Sequence, residues 1–312
     1  TLMSRTVSVS RTAHREQAAS RRGAPVLAVI DELTRKLRIA GITDPRHVAG
    51  DILAALLEVP RSWPMMHRDS TTSPDIIRAA ENSVRMLSAG APFAYAVGST
   101  QFRHLHLAVD ERVLIPRPET EVLVGEILGR MARRHGDAES WGTAIDVGTG
   151  SGAIALSLAR EGRFDHIIAT DASIDALDVA RANLLRSAAV ISTPVEFRSG
   201  SLIAPVRHEK VAVLVSNPPY ISYSEIETLA PGVRDWEPPL ALFSADTGMA
   251  ATAAIVQQGA GVLENGGLLA LEVDERRASL IAELVMSSAC YTGVGVGLDL
   301  TGRERFVFAS RV

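Results

Sequence analysis

The sequence predicts an α/β protein in which a small helical domain precedes a mostly parallel sheet with an antiparallel hairpin at its C-terminal end. From residue 143 onward, apolar runs of strand length alternate with amphipathic runs of helix length, which is typical of a parallel sheet. The last two apolar runs are joined by Thr301-Gly302-Arg303-Glu304, a short turn that favours a hairpin. Residues 25–88, in contrast, carry helical periodicity only.

A chain of 312 residues has room for two compact domains. We expect an Arg-rich disordered tail at residues 1–24, a helical domain at 25–88, a β-hairpin connector at 89–118 and the sheet domain at 119–312.

The helical domain is predicted from apolar stripes and proline-led starts. Its first helix ends at Gly41 and follows from a stripe of apolar residues, Val26, Val29, Ile30, Leu33 and Leu37. Asp44-Pro45 and Ser73-Pro74 each place an N-cap residue before a proline at the first helical position. Two further helices are therefore expected after these pairs.

The connector is predicted from alternation of apolar and polar residues between Phe102 and Val109. Asp110-Glu111-Arg112 could turn this strand back into a second one at Val113-Leu114-Ile115. Pro116-Arg117-Pro118 then forms a rigid, extended segment before a helix from about residue 120 to 134.

The sheet domain is predicted to hold seven strands. The parallel ones are Ala144–Val147, His166–Thr170, Val195–Arg198, Val211–Val215 and Leu268–Val273, and the terminal hairpin is Gly293–Leu300 with Arg305–Ser310. Helices are expected near 153–160, 173–185, 249–262 and 275–287.

The composition excludes several classes of protein. No apolar run approaches the ~20 residues of a membrane span, and the polar, Arg-bearing start does not fit a signal peptide. The single cysteine, Cys290, cannot form an internal disulfide, and the eight histidines lack metal-ligand spacing. We therefore expect a cytoplasmic protein without a metal site or a membrane partner, and a monomer.

The net charge of −4 is unevenly distributed along the chain. Residues 1–22 hold five arginines against Glu16 alone, so the remainder carries a net charge of about −8. An acidic body makes a nucleic-acid partner less favourable, because neutralising phosphates needs a basic face.

A glycine-rich loop indicates a nucleotide-type ligand. Asp146-Val147-Gly148-Thr149-Gly150-Ser151-Gly152-Ala153 joins the first strand of the sheet to a helix, so its glycines let a ligand approach the backbone and the helix N-terminus. The pattern alone fits either S-adenosylmethionine or a dinucleotide. In both cases Asp171, at the end of the next strand, is placed to accept the ribose hydroxyls.

The tetrapeptide Asn217-Pro218-Pro219-Tyr220 directly follows the buried strand Val211–Val215. Taken alone it could be an ordinary turn. However, it presents two carbonyl acceptors, an aromatic wall and few donors, which suits an –NH2 group. In such a sheet the first and fourth strands open onto one crevice, so this acceptor would face the bound cofactor. The tetrapeptide thereby favours S-adenosylmethionine over a dinucleotide as the ligand. A methyl donor beside a site for –NH2 implies N-methylation.

From about residue 25 to the end, the sequence resembles the HemK family of protein-glutamine methyltransferases. The resemblance rests on several motifs: Gly90-x-Pro92-x-x-Tyr95-x-x-Gly98, Phe102, Val113-Leu114-Ile115-Pro116-Arg117-Pro118-Glu119-Thr120-Glu121, the glycine loop, Asp171, Asn217-Pro218-Pro219-Tyr220, Trp236-Glu237-Pro238, Ala241-Leu242 and Gly302-Arg303. The segment Pro116 to Glu121 behind a helical domain is the most specific of them.

The resemblance implies a Rossmann-like class I methyltransferase domain, S-adenosylmethionine as cofactor, and peptide chain release factors as protein substrates. The methyl acceptor would be the glutamine of their Gly-Gly-Gln motif. The cofactor would be bound by Gly148, Thr149, Gly150, Ser151, Gly152, Asp171, Ser201 and Asn217. The glutamine would be bound by Asn217, Pro218, Pro219 and Tyr220, with Asn217, Pro218 and Tyr220 as the catalytic residues.

One departure from the family pattern concerns the loop after the third strand. The family usually has an acidic residue there, whereas this chain has Ser199-Gly200-Ser201-Leu202. We therefore expect weaker contact with adenosine at Ser201.

Two rival functions remain at this point. The Asn-Pro-Pro-Tyr motif is shared with nucleic-acid amino-group methyltransferases, which act on adenine or guanine, and the acidic body argues against that alternative. A non-catalytic ligand-binding protein is the other, because fold alone does not determine function.

Overall fold

The computed structural model describes residues 23–312, which form two compact units, residues 23–98 and Ser99–Val312. Residues 1–22 of the segment that was predicted to be an Arg-rich disordered tail lie outside the described residues. No helix among the described residues combines the length and the apolar character that a membrane crossing requires.

The first unit is helical. Its helices are α1 (Val26–Ile39), α2 (Pro45–Leu56), α3 (Trp63–Met66), α4 (Pro74–Ser88) and α5 (Phe93–Val97), and its short antiparallel pair is β1 (Ala24–Pro25) with β2 (Thr71–Thr72). The apolar stripe of α1 is buried against α2 and α4, as its periodicity predicts.

The two proline-led helices begin differently. The Ser73 hydroxyl accepts a hydrogen bond from the Ile76 N–H at 3.4 Å, as an N-cap should. Asp44 occupies the N-cap position of α2 but adopts a left-handed conformation (φ 49°) and makes no side-chain capping bond. The start of α2 therefore depends on Pro45, whose fixed φ suits the first turn.

The second unit begins with a hairpin, β3 (Ser99–Phe102) and β4 (Leu105–Ala108). The predicted turn at Asp110-Glu111-Arg112 was wrong, because the chain reverses earlier, at Arg103, which has a φ of 50°. The Arg103 guanidinium stabilises this turn by hydrogen bonds of 2.8 and 2.5 Å to the Glu161 carboxylate. Residues 113–115 form no strand.

The main sheet has seven strands in the order β10-β11-β9-β8-β5-β6-β7. They are β5 (Thr143–Val147), β6 (His166–Asp171), β7 (Val195–Ser199), β8 (Val211–Ser216), β9 (Leu263–Glu272), β10 (Tyr291–Leu298) and β11 (Glu304–Arg311). Strands β5 to β9 pair in parallel, whereas β11 pairs antiparallel with β9 and with β10. The predicted fold class, a mostly parallel sheet with an antiparallel C-terminal hairpin behind a helical domain, is confirmed.

Helices cover both faces of this sheet. The helices of this unit are α6 (Pro118–His135), α7 (Ala153–Glu161), α8 (Ile174–Arg186), α9 (Pro231–Arg234), α10 (Pro239–Leu242), α11 (Ala245–Gly248), α12 (Ala250–Gly259) and α13 (Ala278–Ser287), with 3-10 helices at Ala204–Val206 and Tyr223–Thr228. Alternate residues of each strand enter different cores: Val213 packs with α6 and α7, and Leu214 packs with α12 and α13. This double cover buries all of β8 and most of β5, and the loops at their carboxyl ends are left to form a site.

Candidate active site

A cavity of about 430 Å³ opens at the carboxyl ends of β5, β6 and β8 in the second unit. Strands β5 and β8 are neighbours, with Val147 paired to Ser216, so the loops that follow them lie side by side. The cavity thereby joins the two motifs that the sequence predicted to face each other. Predicted site residues that line it are Gly148, Gly150, Asp171, Ser201, Asn217, Pro218 and Pro219.

The glycine loop presents bare backbone to the cavity. Gly148 and Gly150 have φ values of 75° and 55°, a left-handed conformation that glycine adopts without strain, and no atom lies within 4 Å of where a Cβ would be. The N–H groups of Gly148 and Thr149 donate to the Thr170 carbonyl at 2.8 and 2.9 Å, which fixes the loop to β6. The loop is therefore rigid, with space above it for a ligand.

Asp146 supports the loop from below and is fully buried. Its Oδ2 accepts hydrogen bonds from the Thr149 hydroxyl (2.6 Å) and from the Ala155 N–H (3.1 Å). Burial raises the pKa of the Asp146 carboxyl to about 7, although both hydrogen bonds oppose this shift. Asp146 thus joins the glycine loop to the first turn of α7.

Three predicted cofactor residues of this loop do not line the cavity. Thr149 directs its hydroxyl to Asp146, and the buried Ser151 offers its carbonyl to the Asn183 side chain at 2.9 Å. Gly152 begins α7, and a Cβ there would lie 3.3 Å from Ala180. These residues shape the loop, and their direct contact with a cofactor stays a prediction.

Asn183 was not predicted, yet it connects this loop to the hairpin. Its side chain is buried and exchanges hydrogen bonds of 2.7 and 3.0 Å with the N–H and carbonyl of Ala108. A lone asparagine inside a helix carries no sequence signal for such a role.

Asp171 lies at the end of β6 and lines the cavity. Its two carboxylate oxygens accept 2.9 Å hydrogen bonds from the N–H groups of Gly150 and Ser173. Burial raises the pKa of Asp171, and these N–H donors act in the opposite direction. Each oxygen retains a further lone pair, so the carboxylate can still accept the hydroxyl groups of a ribose.

Ser201 lies in the loop that follows β7, and the Gly200 N–H of this loop donates to the Asp171 carbonyl at 2.9 Å. Ser201 is exposed and lines the cavity together with Leu202. The carboxylate that the family pattern leads one to expect here is therefore missing from the cavity wall itself.

The Asn217–Tyr220 segment directly follows β8, and its first three residues line the cavity. Pro218 is buried and Asn217 is half-buried, with its Nδ2 donating to the Thr120 hydroxyl at 3.3 Å. Tyr220 does not line the cavity, and burial raises the pKa of its phenol to about 12, so the hydroxyl stays protonated. The predicted role of Tyr220 as an aromatic wall stays a prediction.

Residues 238–251 form a wall of the cavity that the sequence patterns did not predict. Its lining side chains are Pro238, Leu240, Ala241, Phe243, Ser244, Ala245, Ala250 and Ala251. An ion pair between Arg117 and the buried Glu237 anchors this wall. The Arg117 Nη2 lies 2.6 Å from the Glu237 Oε1. Burial raises the pKa of Glu237, and Arg117 opposes that shift.

The same cavity is also lined by Arg112, which the sequence placed in a turn, and by Val113 and Leu114, which it placed in a strand. Bare glycine backbone, a carboxylate acceptor and apolar side chains such as Leu114 and Leu202 fit a ligand that combines a ribose with a purine ring. Among residues 23–312 no cluster of His, Cys, Asp and Glu could hold a metal ion.

Two family models match the chain. Residues 130–230 match the one described as "Methyltransferase small domain", and residues 28–98 match the one described as "PrmC N-terminal domain". With the sheet order and the glycine loop, the first match defines the protein as a Rossmann-like class I methyltransferase that uses S-adenosylmethionine.

Individual proteins give a closer assignment. The chain is 34% identical to the release factor glutamine methyltransferase of Moorella thermoacetica over 282 residues, which cover 90% of this chain and 97% of that protein. It is also 34% identical to the release factor glutamine methyltransferase of Deinococcus radiodurans over 283 residues, with coverages of 91% and 97%. A crystal structure of a methyltransferase from Pyrococcus furiosus is similar with a TM-score of 0.49 and 17% identity, covering 67% of this chain and 89% of that one.

The chain belongs to the release factor glutamine methyltransferase family. The resemblance to the HemK family is thereby confirmed, as is the expectation that the protein is a methyltransferase dependent on S-adenosylmethionine.

Proposed function

We propose that this protein transfers a methyl group from S-adenosylmethionine to the side-chain amide nitrogen of the glutamine in the Gly-Gly-Gln motif of peptide chain release factors. The observation that carries the proposal is the shared cavity, in which Asn217 and Pro218 lie beside the bare glycine loop. The two 34% identical relatives, both release factor glutamine methyltransferases, support the same substrate class.

A carboxamide nitrogen is a weak nucleophile because its lone pair is delocalised into the carbonyl. The Asn217 Oδ1 and the Pro218 carbonyl would each accept one N–H of the glutamine, which raises electron density on nitrogen and fixes its direction. S-adenosylmethionine supplies an electrophilic methyl group on a sulfonium ion. The nitrogen forms the new C–N bond, sulfur keeps the electron pair of the broken C–S bond, and one amide proton is released to water.

Asp171 and the glycine loop would hold the cofactor, with Ser201 near its adenosine. The helical unit, residues 23–98, would supply recognition of the release factor. We further propose that the protein acts as a monomer in the cytoplasm and needs no nucleic acid as a partner.

The test is transfer of a radiolabelled methyl group to purified release factor. We expect one methyl group per release factor, lost when the glutamine of its Gly-Gly-Gln motif is replaced by alanine. Matched reactions with DNA and RNA examine the rival acceptor. Labelling of nucleic acid and not of release factor would overturn the proposal, and so would binding of S-adenosylmethionine without transfer to any of them.

A further inference from the structure

Two buried side chains that are not among the predicted site residues, Thr120 and Glu272, are connected to Asn217 by hydrogen bonds. Thr120 lies in the first turn of α6, and Glu272 is the last residue of β9. The Thr120 hydroxyl donates to Glu272 Oε2 at 2.7 Å, and the Asn217 Nδ2 donates to the same hydroxyl at 3.3 Å. The order of donation is therefore Asn217 to Thr120 to Glu272.

Strand pairing explains why the three residues meet. Strands β8 and β9 run in parallel with Ser216 opposite Leu271, so Asn217, directly after β8, and Glu272, at the end of β9, take the next positions along the chain. Thr120 bridges them from α6, and both Thr120 and Glu272 are almost completely buried, with 4% and 1% of their surface exposed. Bulk water cannot readily replace either partner.

The chemistry of the three groups fixes the orientation of the Asn217 amide. An ionised carboxylate can only accept hydrogen bonds, so it takes the single hydroxyl proton of Thr120. The Thr120 oxygen can then only accept, which selects the –NH2 end of Asn217. The two ends of a carboxamide have nearly the same shape, so hydrogen bonding decides between them.

We propose that Glu272, acting through Thr120, is a positioning residue that keeps the Asn217 Oδ1 available as the acceptor for the substrate amide. If Thr120 instead donated to Asn217 Oδ1, the amide would turn by half a rotation and offer a donor where an acceptor is required. This inference rests on the proposed function, because it assigns Asn217 the task of accepting a substrate N–H.

A burial argument supports a functional role over a purely stabilising one. Burial raises the pKa of Glu272 to about 7, opposed by the Thr120 hydrogen bond and by Arg305 and Arg117, while Glu119 adds to the shift. No Arg or Lys within residues 23–312 forms an ion pair with Glu272 at 4 Å or less. A carboxylate in such surroundings weakens the fold, so a neutral residue of the same shape would serve stability better.

The experiment compares Glu272→Met, Thr120→Val and Thr120→Ser at pH 8, about one unit above the pKa of Glu272. Methionine has a similar length and no oxygen that could accept the Thr120 hydroxyl. Glu264→Met, an exposed position on the same strand, is the matched control. For each protein we would measure kcat and KM for release factor, the dissociation constant for S-adenosylmethionine, and the melting temperature.

We expect kcat to fall about tenfold in Glu272→Met and in Thr120→Val, the size of one lost hydrogen bond. Thr120→Ser, which keeps the hydroxyl, should stay within about threefold of wild type. Cofactor affinity should change by less than about threefold, and Glu272→Met should melt no lower than wild type. In an Asn217→Ala background, Thr120→Val should cause no further loss, because the residue it positions is gone.

Three results would overturn the inference while leaving the proposed function intact: Glu272→Met with the wild-type kcat, Thr120→Ser as slow as Thr120→Val, or a loss of kcat matched by a lower melting temperature. If Thr120→Val does not fold, Glu272→Met alone decides, because it removes the acceptor and leaves the Thr120 hydroxyl in place. A wild-type protein that fails to methylate release factor would overturn the proposed function, and this inference with it.

Discussion

Asn217 is the residue on which the proposed chemistry depends most directly. We expect Asn217→Ala to lower kcat at least a hundredfold, since a lost polar contact to a transition state costs ~3 kcal/mol. The dissociation constant for S-adenosylmethionine should stay within about threefold of wild type, because the glycine loop and Asp171 are untouched. Single-turnover methyl transfer and calorimetry check both values, and a variant within a few-fold of wild-type activity would contradict the role of Asn217.

Asp171 should give the opposite pattern. Asp171→Ala removes the proposed ribose acceptor and also the acceptor for the Gly150 and Ser173 N–H groups, so we expect at least a tenfold loss of cofactor affinity. Asp178→Ala, an exposed position on α8, is the control. Equal affinity in Asp171→Ala and Asp178→Ala, measured by calorimetry, would remove Asp171 from the cofactor site.

Ser201 offers a gain-of-affinity prediction, because a carboxylate is missing there relative to the family pattern. Ser201→Asp should tighten S-adenosylmethionine binding by ~1 kcal/mol, about fivefold, since an ionised acceptor forms the stronger hydrogen bond. Ser201→Asn, which has the same shape and no charge, should tighten it less. An unchanged or weaker affinity in Ser201→Asp would mean that the loop after β7 does not reach the adenosine.

At the scale of elements, the strands β5, β6 and β8 follow from the sequence because buried parallel strands are continuous apolar runs. Strand β9 begins at Leu263, earlier than its apolar run suggests, because Gly266 and Gly267 interrupt the pattern and Gly266 takes a φ of 76°. The hairpin was assigned to the wrong turn for a related reason. Its reversal at Arg103 depends on Glu161, a residue 58 positions away.

The unpredicted parts of the site share this dependence on distant contacts. The segment after Tyr220 consists of short helical turns, held by Arg277 to Glu225 at 2.8 Å and by Arg117 to Glu237. Such short turns have no periodic sequence pattern, because contacts with residues far along the chain hold them in place. Thr120 and Glu272 were likewise missed as partners of Asn217, since 152 positions separate them.

The junction of the glycine loop with α7 should make stability depend on pH. The pKa of Asp146 is raised from its ordinary value of 3.8 to about 7 by burial, with a smaller contribution from Asp171 and opposition from Thr149 and Ala155. A raised pKa means that the folded state holds the proton more firmly than the unfolded state. The associated stability is fully present below pH 3.8 and is lost as the pH rises to about 7.

Asp146→Asn cannot ionise, so it should escape that loss. We expect the free energy of unfolding of Asp146→Asn, relative to wild type, to increase between pH 5 and pH 8. Urea denaturation at several pH values measures this difference, and Asp137→Asn, in an exposed loop, controls for the lost negative charge. A difference that stays constant or decreases with pH would show that Asp146 is not protonated in the folded protein.

At the scale of the whole molecule, we expect the second unit to bind the cofactor and the first unit to recognise the protein substrate. All residues that line the cavity fall between Arg112 and Ala251, within the second unit. The first unit carries no glycine loop, yet specific recognition of a protein usually buries about 1,200 Å² or more, which a single glutamine loop cannot supply. The helical unit is therefore the expected source of additional contacts with the release factor.

A protein that starts at Ser99 tests this division. It should bind S-adenosylmethionine within about threefold of the full-length affinity, because every cavity residue is retained. Its kcat/KM on intact release factor should fall at least ~10-fold, since the lost contacts contribute to binding. Circular dichroism and a cooperative melt must first establish that it is folded. If the folded, truncated protein methylated intact release factor at the full-length rate, the helical unit would have to serve a purpose other than substrate recognition.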